Sequence, residues 1–201
     1  MRPKPDVSQA ECAVSSRLRG DSDTALVIID MQMEMQPRID AGRPHVHPEA
    51  PDRIAVLADG SRRATYPVIH IRHAAADPAS PLHPDAPGYR PMDCAMERPG
   101  EAVFVKSSSS AFATTALEAH LSERGIAQIH VVGAVAGFCV NSTVRAAADL
   151  GFGVTVVRDP VIGFDLSSAG LEAGVIFGVT MGLLEADFTE VVESERVLAG
   201  L

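Results

Sequence analysis

The sequence predicts an α/β fold: a three-layer α/β/α domain on a six-stranded, mainly parallel sheet. Three observations predict it. Short apolar runs rich in Val and Ile, such as Leu26-Val27-Ile28-Ile29 and Ile129-His130-Val131-Val132, have the character of buried strands. Segments with helical apolar spacing separate them, and strands alternating with helices imply a parallel sheet covered on both faces. Finally, 201 residues at 46% hydrophobic and 21% charged content suit one well-buried domain and are short for two.

Residues 1–22 are polar, carry Pro3 and Pro5 and show no sustained period, so they read as an N-terminal arm to a domain of residues 23–201. The first strand is Thr24 to Ile29, ending in Asp30; an isolated Asp after a strand reads as a cap or turn residue. Residues 31–48, rich in Met, Pro and His, predict a loop. His45 and His47 lack an acidic partner at useful spacing and read as loop residues, not metal ligands. Ile54, Leu57 and Ala58 mark a surface helix over 51–64, and Pro67 to Arg72 a second strand.

The Pro-rich stretch 73–100 is irregular, and loops of that length are commonly lids or substrate walls. His73, His83, Tyr89, Arg90 and Cys94 are therefore pocket candidates, with Gln32 from the earlier loop. Ala102 to Val105 is a third strand ending in Lys106. The hydroxyls of Ser107 to Ser110 predict the cap of a helix over 111–124. A fourth strand from Ile129 runs into a helix that opens at Cys139, where unpaired N–H groups and the helix dipole favour an anion and predict a lowered thiol pKa. A fifth strand ends at Val157 before Arg158-Asp159-Pro160. A helix over 167–186, apolar nearly all round, predicts burial inside the domain or against a second subunit, and a last strand spans 189–192.

The composition excludes several functions. A net charge of -9 argues against nucleic acid and anionic membrane as partners, and no apolar run approaches a membrane span. Three cysteines, Cys12, Cys94 and Cys139, point to a reducing cytoplasm. No G-x-G-x-x-G follows the first strand, which argues against a dinucleotide fold.

In parallel sheets, ligands bind at the carboxyl ends of the strands. Asp30, Lys106 and Cys139 each stand at such an end and are predicted to meet. An acid to take the thiol proton, a lysine to stabilise the thiolate, and a cysteine to attack a carbonyl carbon form a nucleophilic site. The N–H groups of Val135 and Cys139 are candidates for the oxyanion hole, with Ala134 and Phe138 as flanking substrate contacts.

VIIDMQ at 27–32, VKSSSSAF at 105–112 and GAVAGFCVNSTVRAA at 133–147 resemble, in order and spacing, the signature segments of the isochorismatase-like cysteine hydrolases. The resemblance covers nearly all of the chain from Thr24 to Val197. It implies a catalytic triad of Asp30, Lys106 and Cys139, a cis peptide between Ala134 and Val135, and a homodimer or homotetramer acting on a small molecule. Many relatives carry Thr where this chain has Ala136; loss of that hydroxyl predicts altered hydrogen bonding near the nucleophile and a wider pocket. The segment HIRHAAADP lacks the Asp-x-His of the metal-binding nicotinamidases, so neither metal nor other cofactor is expected. Cys139 argues against the cysteine-free isochorismatases proper. The amidohydrolase branch remains, cleaving an amide, carbamoyl, ureido or lactam C–N bond. Two alternatives are a hydrolase or isomerase using Asp30 as general acid with Cys139 a bystander, and a catalytically silent binding protein.

Overall fold

The computed structural model describes residues 23–201; the N-terminal arm and Cys12 lie outside them. Seven strands form the sheet: β1 (Thr24–Ile29), β2 (His45–Val46), β3 (Val68–His73), β4 (Ala102–Lys106), β5 (Gln128–Ala134), β6 (Gly153–Phe164) and β7 (Glu190–Val192). Their order is β2-β6-β5-β1-β3-β4, with β7 also on β6. All pairs are parallel except β2 with β6. The helices are α1 (Met35–Asp40), α2 (Ala50–Arg63), α3 (Leu117–Glu123), α4 (Asn141–Asp149), α5 (Ala173–Asp187) and α6 (Ser194–Leu198). No helix among the described residues is long and apolar enough to cross a membrane.

Strand β1 shows why a central strand reads as one apolar run. Ala25, Val27 and Ile29 enter a core with Leu117 and Leu121 of α3, Val144 of α4 and Phe177 of α5. Leu26 and Ile28 enter the opposite core with Ile54 and Leu57 of α2 and Val197 of α6. Side chains alternate, so both faces must be apolar when both are covered.

Three predicted boundaries are corrected. Strand β2 adds a seventh strand within the predicted loop 31–48, which also contains α1. Strand β6 continues beyond Val157 to Phe164, its register against β5 slipping between Val131 and Gly133. That irregularity accommodates Pro160, since proline is tolerated in sheets at bulges. Asp159 secures it, accepting from the Ser194 N–H at 2.7 Å and pairing with Arg53 at 2.7 Å.

The predicted helix over 111–124 is reduced to α3, because the hydroxyls before it bond locally. Ser108 Oγ donates to Ser110 O at 2.9 Å, Thr115 Oγ1 donates to Ala111 O at 2.7 Å, and Ser107 N–H donates to Thr114 Oγ1 at 3.1 Å. Such bonds compete with the helix ladder.

Helix α5 buries Phe177, Thr180, Met181 and Leu184 but leaves Val175, Val179 and Leu183 exposed. Gly174, Gly178 and Gly182 also stand open, so the domain interior accounts for only one side of this apolar helix.

Candidate active site

Three strands deliver the site: β5 and β1 are adjacent, and β4 follows beyond β3. Asp30 follows β1, Lys106 ends β4, and Cys139 lies beyond β5 in a five-residue π-helical turn, Ala136–Val140, that leads into α4. Extended alternation after Ile29 would send Asp30 to the opposite face; instead its backbone turns to φ +48°, a left-handed conformation uncommon for a residue with a Cβ. Lys106 pairs in register with His73 of β3, so the two side chains are cross-strand neighbours.

The lysine ammonium is the hub. Lys106 is fully buried, with Nζ 2.7 Å from Asp30 Oδ2, 3.1 Å from Ser108 O, 3.2 Å from His73 Nδ1 and 3.3 Å from Cys139 Sγ. A buried charge requires such partners. The other carboxylate oxygen, Asp30 Oδ1, is buried with no hydrogen-bond partner among the described residues. The peptide between Ala134 and Val135 is cis, and the Val135 N–H has no partner among the described residues. Gly133 permits the approach of β5 to β1: at φ +117°, an added Cβ would lie 2.1 Å from Ile29 O.

The electrostatics correct the sequence expectation for the thiol. Burial first, and then the Asp30 anion, push the Cys139 pKa up to about 11 against the pull of Lys106. Local pattern registers the favourable turn, but burial beside a carboxylate outweighs it. Burial also raises the Asp30 carboxyl above its ordinary value, outweighing the ion pair with Lys106 that alone would lower it. The site thus holds a protonated thiol beside a carboxylate of enhanced basicity. Burial lowers the His73 pKa, helped by the Lys106 charge, while Asp30 opposes it.

The other predicted residues sort differently. Gln32 is fully buried, and its amide ties loop to strand: Nε2 donates to Tyr89 O at 2.8 Å and His73 O at 3.1 Å, and Oε1 accepts from His73 N–H at 2.8 Å. Both ends are committed to backbone, so Gln32 acts by holding His73 in place. Tyr89 is half-buried. Ala134 is fully buried, whereas Phe138, beside the thiol, is 55% exposed.

Arg90 and Cys94 line a separate cleft of about 730 Å³ with Met33, Asp52 and Met92, away from Lys106. Burial pushes the Cys94 thiol up to about 12. Arg72 pairs with Glu97, His83 lies 3.7 Å from Asp85, His45 Nδ1 bonds Arg43 O, and His47 meets the Phe177 ring edge-on. Among the described residues, no group of three His, Cys, Asp or Glu converges as a metal site. Ala136 is fully buried in the core beneath α5. An added Cβ on its neighbour Gly137 would come within 3.0 Å of Ile176, so α5 presses directly on this turn.

Sequence reasoning missed the Ser108 carbonyl as a partner of Lys106 and the part played by Gln32. The run of four serines after Lys106 signals the turn that presents that carbonyl.

A doubly covered parallel sheet, with an acid, a lysine and a cysteine gathered at the carboxyl ends of its strands, defines a hydrolase scaffold. The chain belongs to the isochorismatase family of hydrolases, whose domain matches residues 24–175. An isochorismatase family protein of Bacillus subtilis, YrdC, is 24% identical over 177 residues, covering 87% of this chain and 94% of that protein. The secreted isochorismatase effector Isc1 of Verticillium dahliae is 29% identical, covering 87% and 90%. Among solved structures, a proposed hydrolase of the same family from Chromobacterium violaceum is 33% identical with TM-score 0.82, covering 92% of this chain and 96% of that one. A cysteine hydrolase from Pseudomonas syringae shares the fold at 20% identity and TM-score 0.80, covering 88% and 91%.

Proposed function

We propose that this protein is a cysteine-dependent hydrolase of a C–N bond in a small molecule, an amide, carbamoyl, ureido or lactam, acting through a thioester on Cys139. The observation that carries the proposal is the single buried ammonium of Lys106, 2.7 Å from Asp30 and 3.3 Å from Cys139. Asp30 is the base: Oδ2 is held by Lys106, leaving unpartnered Oδ1 to take the thiol proton. The thiolate attacks the carbonyl carbon, and the resulting oxyanion receives the N–H groups of Val135 and Cys139. Asp30 returns the proton to the nitrogen, the C–N bond breaks, and the acyl group remains as a thioester. Water, deprotonated by Asp30, attacks that thioester; the acid leaves and the sulfur recovers its proton. No cofactor enters this sequence, and a reducing, cytoplasmic setting suits a mechanism that needs a free thiol.

The test is ammonia release from a panel of amides, ureido acids and carbamoyl amines, with a ring-opening readout for lactams. Turnover of a panel member should fall by roughly 10⁴-fold or more in Cys139→Ala while the fold is retained by circular dichroism. Turnover that survives the substitution sinks the covalent mechanism.

We infer further that the protein works as a homodimer or homotetramer. The exposed Val175, Val179 and Leu183 on α5, ribbed by open glycines, support this, because monomers seldom expose such a stripe. Light scattering of Val179→Asp should report a smaller species than the parent; equal masses would remove α5 from any interface.

A further inference from the structure

The hydrogen bonds of Lys106 do not balance. An ammonium has three N–H donors and cannot accept, yet four acceptors surround Nζ within 3.3 Å: Asp30 Oδ2, Ser108 O, His73 Nδ1 and Cys139 Sγ. The Asp30 oxygen is nearest and charged, and Ser108 O is a carbonyl fixed by its turn. That leaves one N–H for two candidates, the His73 ring and the sulfur. A neutral thiol is a weak acceptor and an imidazole nitrogen a good one. A thiolate is an anion, and a charge-assisted bond outcompetes a neutral one. The preferred partner of the third N–H therefore changes when the sulfur ionises.

The geometry points to His73 as a positioning residue that holds the third Lys106 N–H while Cys139 is protonated and yields it to the sulfur when the thiolate forms. The ring is held for this. His73 and Lys106 are register neighbours in β3 and β4, and the buried Gln32 amide bonds both the N–H and the carbonyl of His73. Lys106 can only donate, so whenever its N–H is held by His73, Nδ1 carries the lone pair and Nε2 the ring proton. The charged groups acting on the ring are Lys106 and Asp30, both of the same cluster; burial and Lys106 favour the neutral ring, while Asp30 and a hydrogen bond to the Ser108 backbone oppose them. His73 thus makes each ionisation of Cys139 cost a hydrogen bond at imidazole, and regains that bond when the sulfur is acylated.

This deepens the assignment of Cys139 as nucleophile, but thiol ionisation needs no substrate, so failure of the hydrolase proposal and failure of the His73 proposal give separate results. The experiment is the pH–rate profile of iodoacetamide alkylation at Cys139, resolved by peptide mass spectrometry, in the parent, His73→Leu and His73→Asn. With the competing acceptor gone, His73→Leu should lower the thiol titration by about one pH unit, the value of a hydrogen bond to a charged group, giving about tenfold faster alkylation at neutral pH. His73→Asn, whose amide oxygen can accept as Nδ1 does, should restore the parent profile. His73→Ala carries the same expectation as His73→Leu should the latter not fold. A His73→Leu profile unchanged or moved to higher pH, or an Asn variant that shifts as Leu does, overturns the proposal.

Discussion

Strands β3 and β4 carry two polar clusters, one deeply buried and one part-buried, with opposite electrostatic outcomes. At the carboxyl end, His73 and Lys106 join Asp30 and Cys139; burial raises the pKa of both Asp30 and the thiol, and Asp30 Oδ1 has no hydrogen-bond partner among the described residues. Toward the amino end of β4, Glu101 meets His70 Nε2 at 2.9 Å, Arg62 Nε at 2.7 Å and the Arg98 N–H at 2.8 Å. There burial pushes upward too, but hydrogen bonds from Arg62, Arg98 and His70 win and hold the Glu101 carboxyl down to about 2. The comparison teaches that depth of burial and the number of donors together decide whether a carboxylate is fixed as an anion or left ready to take a proton. Asp30 is deeper and has fewer donors; Glu101 is shallower and has more. The Glu101 cluster fastens the 97–101 loop to α2; the Asp30 cluster retains an unspent acceptor, Oδ1, which the proposed mechanism uses.

Breaking each cluster should expose this contrast. The largest effect is expected for Lys106→Met, which removes the only cation among the described residues within bonding distance of the buried Asp30 and should cost about 3–5 kcal/mol in urea unfolding near neutral pH. The loss should shrink as pH falls and Asp30 protonates; a pH-independent loss would mean that Lys106 acts through packing alone. A smaller effect is expected for Glu101→Gln. The Glu101 carboxyl is depressed from its reference value of 4.5 to about 2, so its stabilisation is complete above the unfolded value and vanishes as pH falls through about 2. Acid unfolding of the parent should therefore steepen over that window and Glu101→Gln should lose that component. Identical acid profiles would show Glu101 to be an ordinary surface carboxylate.

Much of this was legible in the chain. The apolar run of β1, the strand-end positions of Asp30 and Lys106, and the strand–turn–helix around Cys139 are local patterns that the fold reproduces. The extension of β6 was hidden because Pro160 ordinarily ends a strand; only its tertiary setting, with Asp159 tied to Ser194 and Arg53, lets the chain bulge and continue. Helix α3 was overread because four serines in a row serve equally as a helix cap or as a self-bonded turn. The direction of the thiol shift was illegible for a deeper reason. Desolvation by burial and the field of Asp30, over a hundred residues away in sequence, belong to the assembled site and to no local segment.

The most direct test is the pH dependence of Cys139 alkylation in the parent and in Asp30→Asn. If Asp30 and Cys139 share a buried, proton-exchanging site, the parent thiol should titrate near 11, and Asp30→Asn should titrate lower although turnover is lost. A parent thiol titrating at the ordinary cysteine value of about 8.5, or one indifferent to Asp30→Asn, would contradict the coupling on which the mechanism rests.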